Sequence, residues 1–519
     1  MKLRNLCERG LMALALIAVL NSCQKESESY LKVVPEDAFM TMSFNCASLS
    51  QKGDLANDLM LKGAESMLLL QLKPEAQSLA QELLANPAKS GIDFTKPAVV
   101  SVFGDNIVEG KAEVAIVFAV DDKEAVKSTF ETFGGEYLEF NNVGDVTTVS
   151  IPTEGMSAAY DGTSLLLLVS QNHVALDFMN LPESRQAVAC DPNFQPSVAG
   201  SADIACYMSY EKLFSVLPKD QLAQSGVSDE MMQLYKEVSF CSTTNFENGK
   251  IVTDYKIYNG EKLKELFKKF NREATGKHFD YVPEKAMAVL SFGVQNIAEL
   301  IKLYPANVQE VFDNFFQQYG SKTSDLNYIE GDITLAFSGI SNNYFPQFLV
   351  AIDGNTDSIK AKFDNYKQQT DALFAGGLLE KVSENFCVFN IPETDHFRIY
   401  GGDCDNTFYL MDESMFNQLV KENKVEKLSN SFNANPLAAP IKKGGVAIDF
   451  KPIVPMVETL MVGNPYQTIA TNVLSKFDNI VISVDMENYS SSMVLQMTDK
   501  EKNSLRQLIE LGEGLAAGM

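Results

Sequence analysis

The stretch Val282-Pro-Glu-Lys-Ala-Met-Ala-Val-Leu-Ser-Phe292 restates one the chain has already used, Val34-Pro-Glu-Asp-Ala-Phe-Met-Thr-Met-Ser-Phe44. Val, Pro, Glu, Ala, Ser and Phe recur at matching places, and most of the remaining positions exchange one apolar residue for another. In both copies the proline stands just before an alternating run, where its missing N–H costs no ladder hydrogen bond and every second residue can face a core. The phrase reads as the opening strand of a unit that is written twice.

Further matches follow in the same order along the chain. The run AEVAIVFAVDDKEAVKSTF from Ala112 is echoed by PQFLVAIDGNTDSIKAKF from Pro346, each an alternating strand, an Asp-bearing turn and an amphipathic helix. VTTVSIPTEGMSAAYDG is echoed by FCVFNIPETDHFRIYGG, which aligns Ile151-Pro152 with Ile391-Pro392 and Tyr160 with Tyr400. Glu247-Asn248 then matches Glu487-Asn488, and Glu261-Lys262 matches Glu501-Lys502. The expected organisation is a signal segment over 1–22, a flexible tether over 23–31, a first unit over 32–276 and a second, homologous unit over 281–519.

Within a unit the pattern runs strand, helical stretch, two strands, helix, several short strands, helical stretch, two strands and a last helix. Consecutive strands with tight turns imply mostly antiparallel pairing, so the fold class is α+β, with helices packed on one face of each sheet. On the segment VQEVFDNFFQQY, Val308, Phe312, Phe315 and Tyr319 share one helix face and read as a core stripe.

A chain of 519 residues has room for two such units, and a hydrophobic fraction of 45% lets each bury a core. Its net charge of −25 opposes any polyphosphate ligand, because nucleic-acid binders need basic patches that release counterions. No nucleic-acid partner is expected. An acidic surface is explained by solubility and needs no cation site.

The first residues carry Lys2, Arg4 and Arg9, followed by an apolar run from Leu11 to Leu20. That run is too short to cross a bilayer, which takes about 20 residues, so it reads as an export signal. Leu20-Asn21-Ser22-Cys23 follows directly and looks like a bacterial lipobox, which makes Cys23 the lipidated residue; Asn21 departs from the small or β-branched residue usual there. The competing reading is ordinary secretory cleavage with an incidental cysteine. The polar segment QKESESYLK after it has no apolar period and should be a tether. Its Lys25, Glu26 and Glu28 resemble the acidic signal that carries lipoproteins of Bacteroidetes to the cell surface, though a periplasmic face is equally compatible with a lipid anchor.

Chemistry is sparse. The three histidines, His173, His278 and His396, have no second ligand at metal spacing, and each reads as a surface or turn residue. Besides Cys7 and Cys23 there are Cys46, Cys190, Cys206, Cys241, Cys387 and Cys404; their spacing matches no disulfide framework, and Cys206 with Cys241 is the best-placed pair. There is no G-x-S-x-G elbow, Walker loop or H-E-x-x-H. Asp353-Gly-Asn355-Thr-Asp357 suggests a calcium loop, but Ser358 stands where glycine is required, and helix capping by Thr356 or Asp357 explains the run. No catalytic, cofactor or metal residue is assigned.

The lipobox with its acidic follow-on, the VPEDAF and VPEKAM strand openers and the twofold unit together resemble a family of Bacteroidetes lipoproteins built on a domain of unknown function, DUF4836. The resemblance implies compartment and architecture and lends no activity to any position. The expectation is a non-catalytic binding protein held at the outer membrane by its lipid. Eighteen tyrosines and no tryptophan favour a protein or peptide partner over a glycan. An envelope assembly factor and a hydrolase with an unrecognised carboxylate site are the alternatives.

Overall fold

The protein is described by a computed structural model that covers residues 28–518, apart from 71, 73, 106–110, 135–137, 152–154, 225, 226, 228, 303–305, 319–321, 342–344, 359, 360, 362, 363, 365–367, 369–378 and 391–397. The signal segment, Cys23, Ile391, Pro392 and His396 lie outside the described residues. Two compact units emerge. The first holds the chain up to Gln224, Tyr235–Gly260 and the residues from Lys500 on; the second holds the short piece ending at Leu234 and Glu261–Asp499.

The first unit is an antiparallel sheet of ten strands: β1 (Met40–Phe44), β2 (Ala98–Phe103), β3 (Glu113–Ala119), β4 (Glu139–Val143), β5 (Val146–Ser150), β6 (Met156–Tyr160), β7 (Ser164–Val169), β8 (Ile204–Ser209), β9 (Ser239–Glu247) and β10 (Lys250–Tyr258). Pairing gives the order β4-β5-β6-β7-β3-β2-β1-β8-β9-β10. The opening strand is therefore central, with Met40 opposite Val102 on one side and Met208 on the other.

In the second unit the strands are β11 (Ala288–Val294), β12 (Ile329–Ile340), β13 (Pro346–Gly354), β14 (Leu379–Lys381), β15 (Phe386–Asn390), β16 (Arg398–Cys404), β17 (Thr407–Asp412), β18 (Gly445–Asp449), β19 (Phe477–Asp485) and β20 (Ser490–Met497). Their order is β14-β15-β16-β17-β13-β12-β11-β18-β19-β20, the same path in the same sequence of steps. Ala288 again faces a partner on each side, Phe337 and Ile448. Val34 and Val282, the first residues of the repeated phrase, are both fully buried. The hairpins differ in detail: Tyr160 is the last strand residue before its turn, opposite Leu165, whereas Tyr400 lies further back from its turn, opposite Met411.

Both units are α+β, as the strand pattern predicts. In the first, one face of the sheet packs Val117, Leu166 and Leu168 against Tyr30, Leu31, Phe178 and Phe194 from helical segments. The opposite face is covered as well, because Val126 and Phe130 of the helix Lys123–Gly134 bury Phe118, Val149, Tyr160 and Leu165. Helix cover on a single face thus understates this unit: β3 and β7 are apolar on both sides of the pleat, and a strand of that kind needs two packed layers. The second unit has one large cluster, centred on Phe279, Leu349, Phe386, Tyr400, Met411 and Phe432.

Two segment boundaries differ from the sequence expectation. Glu28–Val33 is a 3₁₀ turn rather than the end of a tether, since Tyr30 and Leu31 are buried and the Tyr30 hydroxyl donates to the Pro97 carbonyl at 3.1 Å. The closing helices also change places. Glu261–Phe270 belongs to the second unit, where Asn271 and Arg272 continue it into a short pairing with Val294 and Gly293. Ser504–Gly518 belongs to the first, where Asn503 donates to the Phe246 carbonyl at 3.0 Å and Arg506 meets Asp58 at 2.7 Å. Of the stripe on Ala306–Gln318, Phe312 is the one whose side chain is described; it is 37% exposed and not core.

Asp58 is 2% exposed as a side chain, so removing its cation leaves a buried carboxylate uncompensated. Arg506→Ala should lower the stability of the first unit by about 3 kcal/mol. Chemical denaturation should show the transition of that unit moving to lower denaturant while the other stays in place.

Candidate functional site

The densest polar cluster lies in the core of the second unit. His278 sits in the 3₁₀ turn Lys277–Tyr281, four residues before Val282, and is 1% exposed. The turn is held there by Phe279, which meets Phe432 edge-on at 5.3 Å. His278 is thus a core residue and not the surface or turn-tip residue that the sequence suggests. Both of its ring nitrogens are engaged: Nδ1 lies 3.2 Å from the Thr334 hydroxyl and Nε2 lies 3.0 Å from Asp353 Oδ1.

Asp353 ends the apolar run of β13 and collects three further donors or cations. Thr407 Oγ1 donates to Oδ1 at 2.8 Å, Lys277 Nζ approaches the same oxygen at 2.8 Å, and the Asp332 N–H donates to Oδ2 at 2.9 Å. Burial pushes the Asp353 carboxyl upward, but His278, Lys277 and the Asp332 N–H outweigh it and hold the group well below the usual carboxylate range. Asp332, itself buried, accepts from the Thr275 N–H at 2.8 Å and hydroxyl at 2.6 Å and pairs with Arg272 at 3.3 Å.

Hydroxyl, imidazole and carboxylate in a row is the order of an acid–base relay. Here the row has no open side: Thr334 is 0% exposed, and neither of two described clefts, of about 600 and 480 Å³, has a histidine or cysteine in its wall. The arrangement joins the turn before β11 to β12, β13 and β17. At the corresponding point of the first unit Tyr30 stands four residues before Val34, and Ala119 faces Ser164 where Asp353 faces Thr407. The first unit there places Tyr30 in an apolar cluster and has the Ser164 hydroxyl donate to the Tyr30 carbonyl at 3.3 Å, where the second gathers Lys277 and His278 at the Asp353 carboxylate.

The remaining candidates resolve as follows. His173 lies in the turn after β7, half exposed, with Nδ1 3.0 Å from the buried Glu113 carboxylate. In the first unit Tyr207 donates to Asp191 and lies 2.9 Å from the Ser239 hydroxyl; burial and the adjacent carboxylate push its phenol upward. Cys206 and Cys241 carry thiols rather than a disulfide, because the register sets Cys206 opposite Ser242 and Cys241 opposite Tyr207, which places the two on opposite faces of the pleat. In the calcium-like run Asp353 is spent inside the core. Asn355 caps the following turn by accepting from the Ser358 N–H at 3.1 Å. The matching turn in the first unit is capped by Asp122, which accepts from the N–H groups of Glu124 and Ala125. Among the described residues no group of three or more His, Cys, Asp and Glu is arranged to hold a metal ion.

The His278 and Asp353 pair escaped the sequence reading, although both residues stood in segments singled out there. The available signal was an ionisable residue closing an otherwise apolar strand, PQFLVAID.

Asp353 is depressed on folding, so it stabilises the protein fully above the unfolded carboxylate value, near pH 4, and that contribution fades as the pH falls from there. Asp353→Asn should cost about 3 kcal/mol at pH 7, and the difference from the parent should narrow steadily below about pH 4. Denaturant titrations at pH 7 and at acid pH check both the size and the sign.

Comparison with solved structures gives two similar chains, both crystal forms of TP0453. Form IV is 9% identical with a TM-score of 0.24, covering 46% of this chain and 83% of that one. Form III is 10% identical with a TM-score of 0.24, covering 48% and 89%. Likeness at this level carries neither fold nor function across. A search of curated proteins finds no match. The family model for a domain of unknown function, DUF4836, matches residues 30–505, and the chain belongs to that family.

Proposed function

We propose that the protein is a lipid-anchored envelope protein of Bacteroidetes type, a non-catalytic binding protein held at the outer membrane through Cys23 and exposed at the cell surface. The observation that carries this reading is Leu20-Asn21-Ser22-Cys23 directly behind a basic start and a short apolar run. The fold supports it from the other end. Tyr30 and Leu31, seven and eight residues after Cys23, are already buried, so a lipid on Cys23 would stand close to the folded body. We also infer that the two units descend from one, supported by their common strand order and the shared place of Val34 and Val282 at full burial.

A binding role is favoured because apolar side chains such as Val462 and Leu70 stand in solvent, while the buried Asp353 and Asp332 carboxylates are engaged by neighbours in the core. A protein or peptide is the partner class, glycan is less favoured without tryptophan, and nucleic acid is opposed by charge.

Cys23→Ser should abolish incorporation of labelled fatty acid and release the chain from the membrane fraction without detergent. Continued labelling would place the lipid elsewhere and overturn the anchor.

A further inference from the structure

The helices Ile453–Leu460 and Gln467–Leu474 of the second unit contain no buried residue, yet they are apolar. Across Pro452–Ser475 the only charged residue is Glu458, in a chain where charged residues make up 21%. A pair of helices with that composition ordinarily turns its apolar side into a core. Here it is the connecting turn that stands out: Leu460 is 49% exposed, Val462 79%, Tyr466 67% and Ile469 38%. Gly463, at φ +80°, makes the turn sharp, and a Cβ there would meet nothing within 4 Å. Leu460 also belongs to the wall of a cleft of about 480 Å³ that Met287, Met456, Ser341 and Gln347 share, so a recess of mixed polarity opens beside the turn.

We propose that this turn inserts into a lipid bilayer, with Leu460, Val462 and Ile469 entering the acyl boundary and Tyr466 placed at the headgroup level. Three observations select a bilayer as the occupant. Between Pro452 and Ser475 Glu458 is the only charged residue, and the polar side chains beside the apolar ones, Asn464, Gln467 and Thr468, are uncharged, so little charge would be desolvated on entering the acyl boundary. Tyrosine is the aromatic whose ring and hydroxyl divide between the two phases. The leash from Cys23 to Glu28 spans on the order of 18 Å at full extension, which keeps an anchored chain beside the membrane throughout its life. That last point rests on the anchored reading; the first two stand without it.

The test uses the full chain carrying Cys23→Ser, purified without acylation, and vesicles of phosphatidylethanolamine with a minority of phosphatidylglycerol, so that the anchor and the turn are scored separately. The parent should float with the vesicles, V462D with Y466S should float at least about tenfold less, and V174D, at an exposed valine of the first unit, should behave as the parent. Because the sequence has no tryptophan, V462W supplies a single fluorophore. Its emission should shift to the blue and become shielded from a soluble quencher when vesicles are added, while V174W should not respond. Unchanged V462W emission, or equal flotation of the V462D chain, overturns the proposal. A blue shift that appears without vesicles and grows with protein concentration also overturns it, by showing that a second copy covers the turn. Continued fatty-acid labelling of the Cys23→Ser chain fails the anchor alone and leaves the vesicle result standing.

Discussion

The constraint on which everything else rests is the pairing of one short strand on both of its edges. β1 has five residues, and each must give its N–H and C=O to neighbours or leave them buried and unpaired, at a cost comparable to a lost hydrogen bond for every group. One neighbour, β2, arrives after a helical excursion; the other, β8, arrives only after the whole four-stranded arm from β4 to β7 has been laid down. The unit closes when Met208 comes back to Met40. β11 faces the same problem and solves it by the same path, with Ile448 returning to Ala288. Proline before the strand and a fully buried valine at the start of the phrase are what the central position requires: an entry that asks for no hydrogen bond and an anchor that is out of water from its first residue.

Once the sheet is closed, the two units fix their opening turn by opposite means. In the first, the Tyr30 ring lies in an apolar cluster and its hydroxyl finds the Pro97 carbonyl. In the second, His278 reaches Asp353, and that carboxylate brings Lys277, Thr407 and the Asp332 N–H with it. A buried ion pair of this kind is a poor source of net stability, since desolvation consumes much of the Coulomb gain, but it punishes every wrong arrangement that leaves one partner alone. The physical reading is register: β13 can end only where Asp353 finds His278, whereas Ala119 at the end of β3 carries no such instruction.

What could be read from the chain beforehand divides along the same line. Strand openers, turns and the amphipathic helices were legible because they are local patterns with a fixed period. Tyr30 and Leu31 were hidden by polar neighbours on both sides, which made a core segment look like a tether. Phe312 misled in the other direction, for its spacing fits a buried stripe that the helix does not bury. His278 and Asp353 stand 75 residues apart, and no spacing rule connects them; only the return of β13 beside the opening turn does. The exchange of closing helices is invisible for a similar reason, as the matching Glu261-Lys262 and Glu501-Lys502 give no sign of which unit offers the adjoining helix a partner.

That distribution of polar groups bears on where recognition can happen. A carboxylate has a limited number of lone-pair directions, and at Asp353 they are taken by an imidazole, an ammonium, a hydroxyl and a backbone N–H, so nothing is left to accept a proton from a substrate. Glu113 gives its carboxylate to His173 and Asn172 in the same manner. The chemistry-bearing side chains described in the two cores are consumed in holding strands to turns. Apolar side chains such as Val462 stand in water, the partner from which they gain least. A surface that covered Val462 and Tyr466 would recover that cost.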